Sequence, residues 1–307
     1  MKAARIHRFG PPDVVLVEEV PRPVPSAGEL LVKAVAAGVG PWDAIIREGK
    51  SEVSPKPPLT LGSDLSGTVE ELGPGVSDFQ KGDEVYGVTN PQFCGANAEY
   101  AIASAEMMAH KPKRLSYVEA ASAPVVAVTA WQMLYDYGAA KQNQTVLILG
   151  AAGNVGAYAV QLAARAGLKV VAVVKSDDIN YVQSLGAEVV VDHQAQRAED
   201  VTTSVDLVLD LVGGETRDRA AQMLRPGGIL VSVVSSGPMP TRSDVRSVFF
   251  YVEVTTERLN KISELFDRGT LIPQVGTLLP LEEVRTAHRM LAGAPHKRGK
   301  IVLQIIQ

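Results

Sequence analysis

The chain is poor in cysteine, in long apolar runs and in net charge, and each shortage excludes a class of protein. Cys94 is the single cysteine among 307 residues, which rules out an internal disulfide and a zinc cluster built from several thiolates. The longest apolar runs are strand-sized and interrupted, so none spans a bilayer, and no apolar signal core follows the opening MKAAR. A net charge of −4 and a pI near 5.8 give no basic surface for nucleic acid or acidic membranes. We therefore expect a cytoplasmic protein with a small-molecule partner, and no nucleic-acid or membrane partner.

The length of the chain and the change in residue pattern along it predict two domains. In the N-terminal third, turn signals such as Gly73-Pro74-Gly75 alternate with strand-like runs such as LLVKAVAAGV, which is typical of a barrel-like β domain. A capping box at Ser116 and Glu119 then predicts the start of an Ala-rich helix. After Ile272 the segments QVGTLL, PLEEVRTAHRMLAG and KIVLQII predict strand, helix and strand. We expect this C-terminal tail to rejoin the first domain.

The most informative segment is a glycine-rich turn at residues 145–156, which read TVLILGAAGNVG. Gly150, Gly153 and Gly156 separate a β-branched run from the apolar, helix-forming stretch AYAVQLAARAG. The pattern predicts a strand, a tight turn and a helix start, where bare backbone amides and the helix dipole favour a dinucleotide diphosphate. The alternative is an α/β domain that uses these glycines only for turns.

Further apolar runs support the dinucleotide interpretation. They lie at residues 169–174, 188–191, 205–209 and 229–234, and helix-compatible sequence separates each from the next. Continuous Val/Ile/Leu runs are typical of a parallel sheet covered on both faces. The first intervening helix has the length that a right-handed βαβ crossover needs.

Ordered motifs along essentially the whole chain resemble one family. They include LTLGSDLSGTVEELGPGVSDFQKGDEVYG, AEYAIAS, ILGAAGNVG, DLVLDLVGG, LRPGGILVSV and RGKIVL. On these residues the chain is identified as a member of the medium-chain dehydrogenase/reductase superfamily, in its zinc-free quinone oxidoreductase (zeta-crystallin-like) branch. The resemblance implies an α/β fold with a GroES-like β-rich domain and a doubly wound Rossmann domain. We place the GroES-like domain at residues 1–118, the NADP-binding Rossmann domain at 119–268, and a segment completing the first domain at 269–307.

Zinc-dependent relatives place a cysteine, a histidine–glutamate pair and a further cysteine or acid around a catalytic metal. The corresponding stretches here are Gly38-Val39-Gly40-Pro41-Trp42-Asp43 and Gly62-Ser63-Asp64, which offer neither a thiolate nor an imidazole. Asp43, Asp64 and Cys94 alone make a poor set of zinc ligands. We therefore expect no metal site, with Asp43 as a hydrogen-bonding residue and Asp64 as a structural one.

A site without such a Lewis acid is poorly suited to alcohol oxidation. A quinone or an α,β-unsaturated carbonyl needs less electrophilic activation, because conjugation delocalises the negative charge that forms when hydride is transferred. The expected activity is therefore zinc-independent, NADPH-dependent hydride transfer to one of these acceptors. Two alternatives stay open: a non-enzymatic NADPH-binding redox sensor or partner-binding protein, and, among enzymes, an enoyl-thioester reductase.

The choice of coenzyme is predicted at the end of the second Rossmann strand. NAD-specific sites carry an acid about 20 residues beyond the glycines, where it holds the ribose hydroxyls. Lys175 and Ser176 occupy this position, and they favour the 2′-phosphate of NADPH through charge-assisted hydrogen bonds. Asp177 and Asp178 follow and weaken this prediction, and a solvated Lys175 is the alternative. His193 falls where similar reductases carry a tyrosine beside the 2′-phosphate.

The resemblance assigns further residues to the cofactor, one position at a time. They are Gly40 and Pro41, Thr129 near the nicotinamide carboxamide, Ala152, Gly153, Asn154 and Val155 at the diphosphate, Leu211 and Val212 at the adenine, Val234 and Ser235 beneath the nicotinamide, Phe249, Phe250 and Tyr251 along the cofactor, and Lys300. Plainer alternatives are a hydroxyl bonded to its own helix for the threonine, core packing for the Leu-Val pair and the aromatics, and surface exposure for the lysine.

Asp43 and Trp42 are the candidate catalytic residues. Many related quinone reductases carry an asparagine before the Pro-x-Asp motif and a tyrosine after it, whereas this chain has Gly40 and Ala44. The substrate site is therefore expected to be more apolar, with Trp42 either a lid over a flat acceptor or a domain-interface anchor. Asp43 would need a raised pKa to act as a general acid.

The apolar run SVFFYVE at residues 247–253 is the predicted edge strand of the Rossmann sheet. An apolar edge left exposed invites pairing with another chain. We therefore expect a homodimer.

Overall fold

A computed structural model describes residues 1–53, 55–202, 204–234 and 237–306. In chain order, the strands are β1 (Lys2–Ile6), β2 (Leu16–Glu19), β3 (Glu29–Val39), β4 (Leu59–Thr60), β5 (Asp64–Leu72), β6 (Glu84–Val88), β7 (Tyr100–Ser104), β8 (Met108–His110), β9 (Thr145–Leu149), β10 (Lys169–Val174), β11 (Val189–Asp192), β12 (Val205–Asp210), β13 (Leu224–Ser232), β14 (Arg246–Phe249), β15 (Val275–Pro280) and β16 (Lys300–Gln304). The α-helices are α1 (Pro41–Arg47), α2 (Tyr117–Ala121), α3 (Pro124–Trp131), α4 (Asn154–Arg165), α5 (Ile179–Ser184), α6 (Gly214–Gln222), α7 (Thr256–Asp267) and α8 (Val284–Leu291). A π-helical turn, Gln132–Tyr137, follows α3, and short 3-10 turns lie at Pro12–Val14, Ala105–Met107, Ser176–Asp178, Ala198–Asp200 and Leu281–Glu283.

The chain divides into two compact units. Unit 1 comprises Met1–Val125 and Val254–Gln307, and unit 2 comprises Val126–Glu253. Unit 2 is therefore an insertion within the sequence of unit 1.

Unit 1 is built from two sheets. The smaller sheet has the order β2-β1-β4, and the larger has the order β15-β16-β3-β5-β6-β8 with β7 also paired to β3. The pairings of the larger sheet are antiparallel except for β15 with β16. Its core is mostly aliphatic and includes Leu30, Val32 and Leu65, all fully buried. The C-terminal strand β16 pairs with β3, so the end of the chain completes this sheet.

The limits of the units differ from the sequence-based domain limits at 118/119 and 268/269. The capping box predicted for α2 is present, because the Ser116 hydroxyl accepts from the Glu119 amide at 3.3 Å and the Glu119 carboxylate accepts from the Ser116 amide at 2.8 Å. Helix α2 packs on β3 and β5, and α7 packs on β8, so both helices lie in unit 1. A capping box predicts where a helix begins. The unit to which the helix belongs depends on the strands against which it packs.

Unit 2 is a doubly wound α/β domain. Its six strands are all parallel, in the order β11-β10-β9-β12-β13-β14. In chain order this is 3-2-1-4-5-6, the Rossmann arrangement. The strand runs predicted from the sequence form β9 to β13, although β13 begins earlier, at Leu224, than the apolar run at 229–234 suggested. The predicted fold class is confirmed.

No helix within the described residues has both the length and the apolar character that a membrane span requires.

Candidate functional site

The turn between β9 and α4 is shaped by its glycines. Gly150 adopts a φ of +74°, a left-handed conformation that favours glycine, and its carbonyl accepts from the Gly153 amide at 3.0 Å. A Cβ on Gly156 would lie only 2.3 Å from the Gly150 oxygen, whereas a Cβ on Gly153 would lie 3.3 Å from it. Gly156 is therefore required for packing of the helix on the turn, and Gly153 leaves the N-terminus of α4 uncovered. The first amides of α4 have no partner within the helix and can bind an anion.

Asp210 ends β12 beside this turn and was not among the predicted site residues. Its buried carboxylate accepts from the amides of Val212 and Gly213 at 3.0 and 2.8 Å, and from the Ser232 hydroxyl at 2.6 Å. These bonds hold the loop after β12 against the glycine turn, because a Cβ on Gly150 would lie 3.2 Å from the Val212 side chain. The available signal was an acid at the end of an apolar run, DLVLD. Asp210 thereby positions Leu211 and Val212, the predicted adenine-contacting pair.

The ends of β10 and β11 bring together the residues predicted to choose the coenzyme. Lys175 and Ser176 follow β10 and are exposed, and His193 follows β11 and donates its amide to the Val174 carbonyl at 3.0 Å. The Ser176 hydroxyl donates to the carboxylate of Asp192 at 2.5 Å. Asp192 was not among the predicted site residues.

The remaining predicted residues of unit 2 lie in several environments. Thr129 is buried in α3, and Ala152 and Val155 lie at the glycine turn and in the first turn of α4. Phe250 is buried and stacks on Tyr137 with ring centroids 4.3 Å apart, while Tyr251 is 68% exposed. Phe249, predicted to run along the cofactor with Phe250 and Tyr251, ends β14. Of the pair predicted beneath the nicotinamide, Val234 follows β13 and Ser235 lies outside the described residues.

Unit 1 contains a buried ion pair next to the predicted catalytic residues. The Lys300 ammonium donates to Asp64 at 2.7 Å, and the side chains are 4% and 2% exposed. The other carboxylate oxygen of Asp64 accepts from the Val125 amide at 2.9 Å. Gly38 and Gly40 leave room for the lysine, since Cβ atoms on them would lie 3.0 Å from its Cε and 2.9 Å from its Nζ. The alternative that Lys300 is a surface lysine is wrong.

Asp43 lies beside this pair and is 2% exposed. Helix α1 begins at Pro41, with Gly40 as its N-cap, and one oxygen of Asp43 accepts from the Gly40 amide at 2.8 Å. Burial raises the pKa of Asp43 to about 6, although the Gly40 amide and the Lys300 ammonium both act to lower it. A protonated carboxyl group is therefore accessible near neutral pH.

Several polar atoms near Asp43 are buried without a hydrogen-bond partner in the part of the chain that the structure describes. They are the second oxygen of Asp43, the indole nitrogen of Trp42, and both side-chain polar atoms of Asn97. Asn97 packs on Gly62, where a Cβ would lie 2.2 Å from its side-chain oxygen. Trp42 packs edge-on against Phe93, with ring centroids 5.6 Å apart. Buried polar groups normally have partners, which makes these atoms exceptions among the described residues.

The residues present do not fit a zinc ion. Both oxygens of Asp64 are engaged, one of them by the Lys300 ammonium, and burial raises the pKa of the Cys94 thiol, which disfavours the thiolate that binds metal. Within the described ranges, no group of three or more His, Cys, Asp and Glu side chains is arranged to hold a metal ion.

Comparisons with known proteins place this chain in a family. Residues 26–113 match the Alcohol dehydrogenase GroES-like domain family, and residues 185–303 match the Zinc-binding dehydrogenase family. A quinone oxidoreductase from Sus scrofa is 31% identical over 323 residues, covering 99% of this chain and 97% of that protein.

Two solved structures align with nearly the whole chain. The quinone oxidoreductase from Coxiella burnetii aligns with a TM-score of 0.90 at 31% identity, covering 100% of this chain and 99% of that one. The mycobacterial protein Rv1454c, solved in complex with NADPH, aligns with a TM-score of 0.89 at 29% identity, covering 99% of this chain and 100% of that one. With the Rossmann sheet order, the glycine turn and a donor set unsuited to zinc, these similarities show that the chain belongs to the medium-chain dehydrogenase/reductase superfamily of oxidoreductases, in its zinc-free quinone oxidoreductase branch.

Proposed function

We propose that this protein is an NADPH-dependent reductase that acts on a quinone or an α,β-unsaturated carbonyl compound without a metal ion. The observation that carries the proposal is the β9–α4 turn, where Gly156 lets the helix pack on Gly150 and Gly153 leaves the amides at the start of α4 open to a diphosphate. Rv1454c, which is similar over its whole length, was solved with NADPH. The Lys175 ammonium adds a cation for the 2′-phosphate.

Bound NADPH would supply a hydride to an electron-poor carbon of the acceptor. The protein then has to deliver one proton and to stabilise the charge that develops on the acceptor oxygen. We assign the proton to the carboxyl group of Asp43, whose O–H bond breaks as the acceptor gains the proton. The carboxylate that remains is stabilised by the Gly40 amide and by the charge of Lys300.

The acceptor oxygen needs a hydrogen-bond donor. The indole N–H of Trp42 is buried, adjacent in sequence to Asp43, and has no partner in the described part of the chain. Together with Phe93 it presents an aromatic surface, and Gly40 and Ala44 add no phenol or amide. These features favour a flat, conjugated and largely apolar acceptor.

The edge strand β14 also supports a proposal about assembly. It forms the outer end of the unit 2 sheet, next to β13, and its residues include Val248 and Phe249, both half-buried. We propose that this edge pairs with its equivalent in a second copy, which would form a homodimer.

The function is tested by mixing the purified protein with NADPH and a panel of quinones, enones and saturated ketones. We expect NADPH to be oxidised in the presence of quinones or enones, at a rate that a metal chelator does not change, and not in the presence of saturated ketones. NADPH binding without oxidation by any acceptor would favour the redox-sensor alternative and would overturn the proposed activity. Turnover confined to enoyl thioesters would replace the acceptor class.

A further inference from the structure

Asp192 lies at the position where the chain would distinguish the two coenzymes. Val174, the last residue of β10, pairs with Asp192, the last residue of β11, in the parallel register. Both strand ends lie at the carboxyl edge of the sheet, the edge at which Rossmann domains bind their ligands. Strand β9, the other neighbour of β10, leads at this same edge into the glycine turn.

Hydrogen bonds fix the Asp192 carboxylate there as an anion. One oxygen accepts from the Ser176 hydroxyl at 2.5 Å and the other accepts from the Gln194 amide at 2.9 Å. The Ser176 hydroxyl, with the Gln194 amide, lowers the pKa of Asp192, so the group stays charged. Ser176 therefore presents its hydroxyl to a carboxylate, although the sequence predicted it as a donor to a phosphate.

We propose that Asp192 determines coenzyme specificity, opposing the 2′-phosphate of NADPH and accepting a hydrogen bond from the ribose 2′-hydroxyl of NADH. This inference rests on the proposed dinucleotide site. An acid that holds the ribose ordinarily comes from the end of the second strand, where this chain has Lys175 and Ser176. Here Asp192 lies beside this position at the end of the neighbouring strand, β11.

The balance of charge decides how strongly the site discriminates. Lys175 attracts the 2′-phosphate, whereas Asp192 repels it, and the nearby Asp177 and Asp178 add to the negative potential. His193 follows Asp192 and is exposed, so its ring is screened by water. We therefore expect the wild-type protein to bind both NADPH and NADH, with only a small preference between them.

The test compares the Kd values of NADPH and NADH for the wild-type protein and for Asp192→Asn, measured by calorimetry at low salt. Asparagine keeps an oxygen that can accept from Ser176 or Gln194, so this variant removes charge with little change of shape. We expect Asp192→Asn to bind NADPH about tenfold more tightly and NADH no more tightly, with the gain shrinking as salt is added.

Glu188→Gln is the matched control. Glu188 is an exposed acid just before β11, so its substitution removes the same charge at the opposite edge of the sheet. Lys175→Met is the reciprocal variant, and we expect it to weaken NADPH binding selectively.

The outcomes separate the two proposals. If the wild-type protein binds neither coenzyme, the proposed function fails and this inference fails with it. If both coenzymes bind but Asp192→Asn shifts the ratio of their Kd values no more than Glu188→Gln does, the role of Asp192 is overturned and the proposed function stands. A larger shift toward NADPH in Asp192→Asn supports it.

Discussion

At the scale of single residues, the most consequential group is the set of charged side chains buried in unit 1. Lys300 and Asp64 neutralise one another through a direct hydrogen bond, whereas the second oxygen of Asp43 has no partner in the described part of the chain. Burial without a full partner disfavours the charged form, which is why the pKa of Asp43 rises to about 6. The pair and the lone acid therefore have different roles, and different variants test them.

Removing one member of the Lys300–Asp64 pair leaves a buried charge without its partner. We expect Lys300→Met to lower the free energy of unfolding by about 3–5 kcal/mol, because the Asp64 carboxylate stays buried. Adding Asp64→Asn should recover part of that loss. Urea unfolding of the two single variants and the double variant measures the coupling, and strictly additive effects would show that the pair is not coupled.

Asp43→Asn removes the proposed proton donor but keeps an oxygen that can accept from the Gly40 amide. We expect kcat to fall about 10²-fold, with a smaller change in KM. In the wild-type protein, kcat should fall as the pH rises through about 6, since the protonated form is lost there, and the variant should lack that fall. Lys300 and Asp64 are the charged groups that face Asp43, and steady-state kinetics across this pH range measures the effect. Unchanged turnover and an unchanged pH profile in the variant would rule out Asp43 as the donor.

His288 predicts how stability depends on pH. It is fully buried, its Nδ1 lies 3.1 Å from Nη1 of Arg47, and burial, with the charge of Arg47, lowers its pKa from 6.5 to about 3. The unfolded chain therefore binds a proton that the folded chain does not, and stability is lost as the pH falls from 6.5 toward about 3.

The variant His288→Gln keeps an acceptor for Arg47 but cannot titrate. We expect the loss of unfolding free energy between pH 7.5 and pH 5 to be about 2 kcal/mol smaller in this variant than in the wild-type protein. Denaturant unfolding at the two pH values gives the comparison. Equal losses in both proteins would show that His288 does not contribute to acid sensitivity.

At the scale of elements, the glycine turn combines a folding role and a binding role in neighbouring residues. Gly156→Ala would place a Cβ 2.3 Å from backbone, so we expect a loss of stability, whereas the 3.3 Å contact made by Gly153→Ala requires a shift of only a few tenths of an ångström. We expect Gly153→Ala to keep its thermal midpoint but to bind NADPH at least about tenfold more weakly, because the added methyl group lies where a diphosphate approaches. Thermal unfolding and calorimetry separate the two effects. Normal NADPH affinity in a stable Gly153→Ala protein would contradict the assigned binding role.

Secondary-structure elements could be predicted from the sequence, whereas contacts between distant segments could not. Continuous apolar runs and glycine spacing are local signals, and they correctly predicted β9 to β12 and the turn before α4. Asp210, Asp192 and Asn97 depend on contacts between segments distant in sequence, such as Asp210 with Ser232 and Asn97 with Gly62. Lys300 is the clearest case, because its partner Asp64 lies 236 residues away and no local signal in RGKIVL indicates the ion pair.

At the scale of the whole molecule, unit 1 is formed by two separate stretches of sequence and unit 2 by the stretch between them. Unit 2 is inserted into unit 1, so the polypeptide leaves the β3 sheet, forms a complete Rossmann domain and returns to pair β16 with β3. Each unit is built on sheets of its own, and each contributes a different function under the proposal. Unit 2 would bind the coenzyme, and unit 1 would supply the proton.

The proposed homodimer is a prediction about the intact protein. We expect sedimentation equilibrium to give twice the chain mass of 32.6 kDa. A charge on the β14 edge, introduced as Val248→Lys, should shift the population toward the monomer, because it opposes strand pairing. Wild-type protein that stays at the chain mass at micromolar concentration would exclude this assembly.

Binding of a reduced pyridine nucleotide at the glycine turn of unit 2 underlies both proposals, and calorimetric titration of the wild-type protein with NADPH measures it. We expect saturable binding with one NADPH per chain, and weaker binding in Gly153→Ala. The absence of any heat of binding for NADPH and for NADH, with the protein folded throughout, would contradict it.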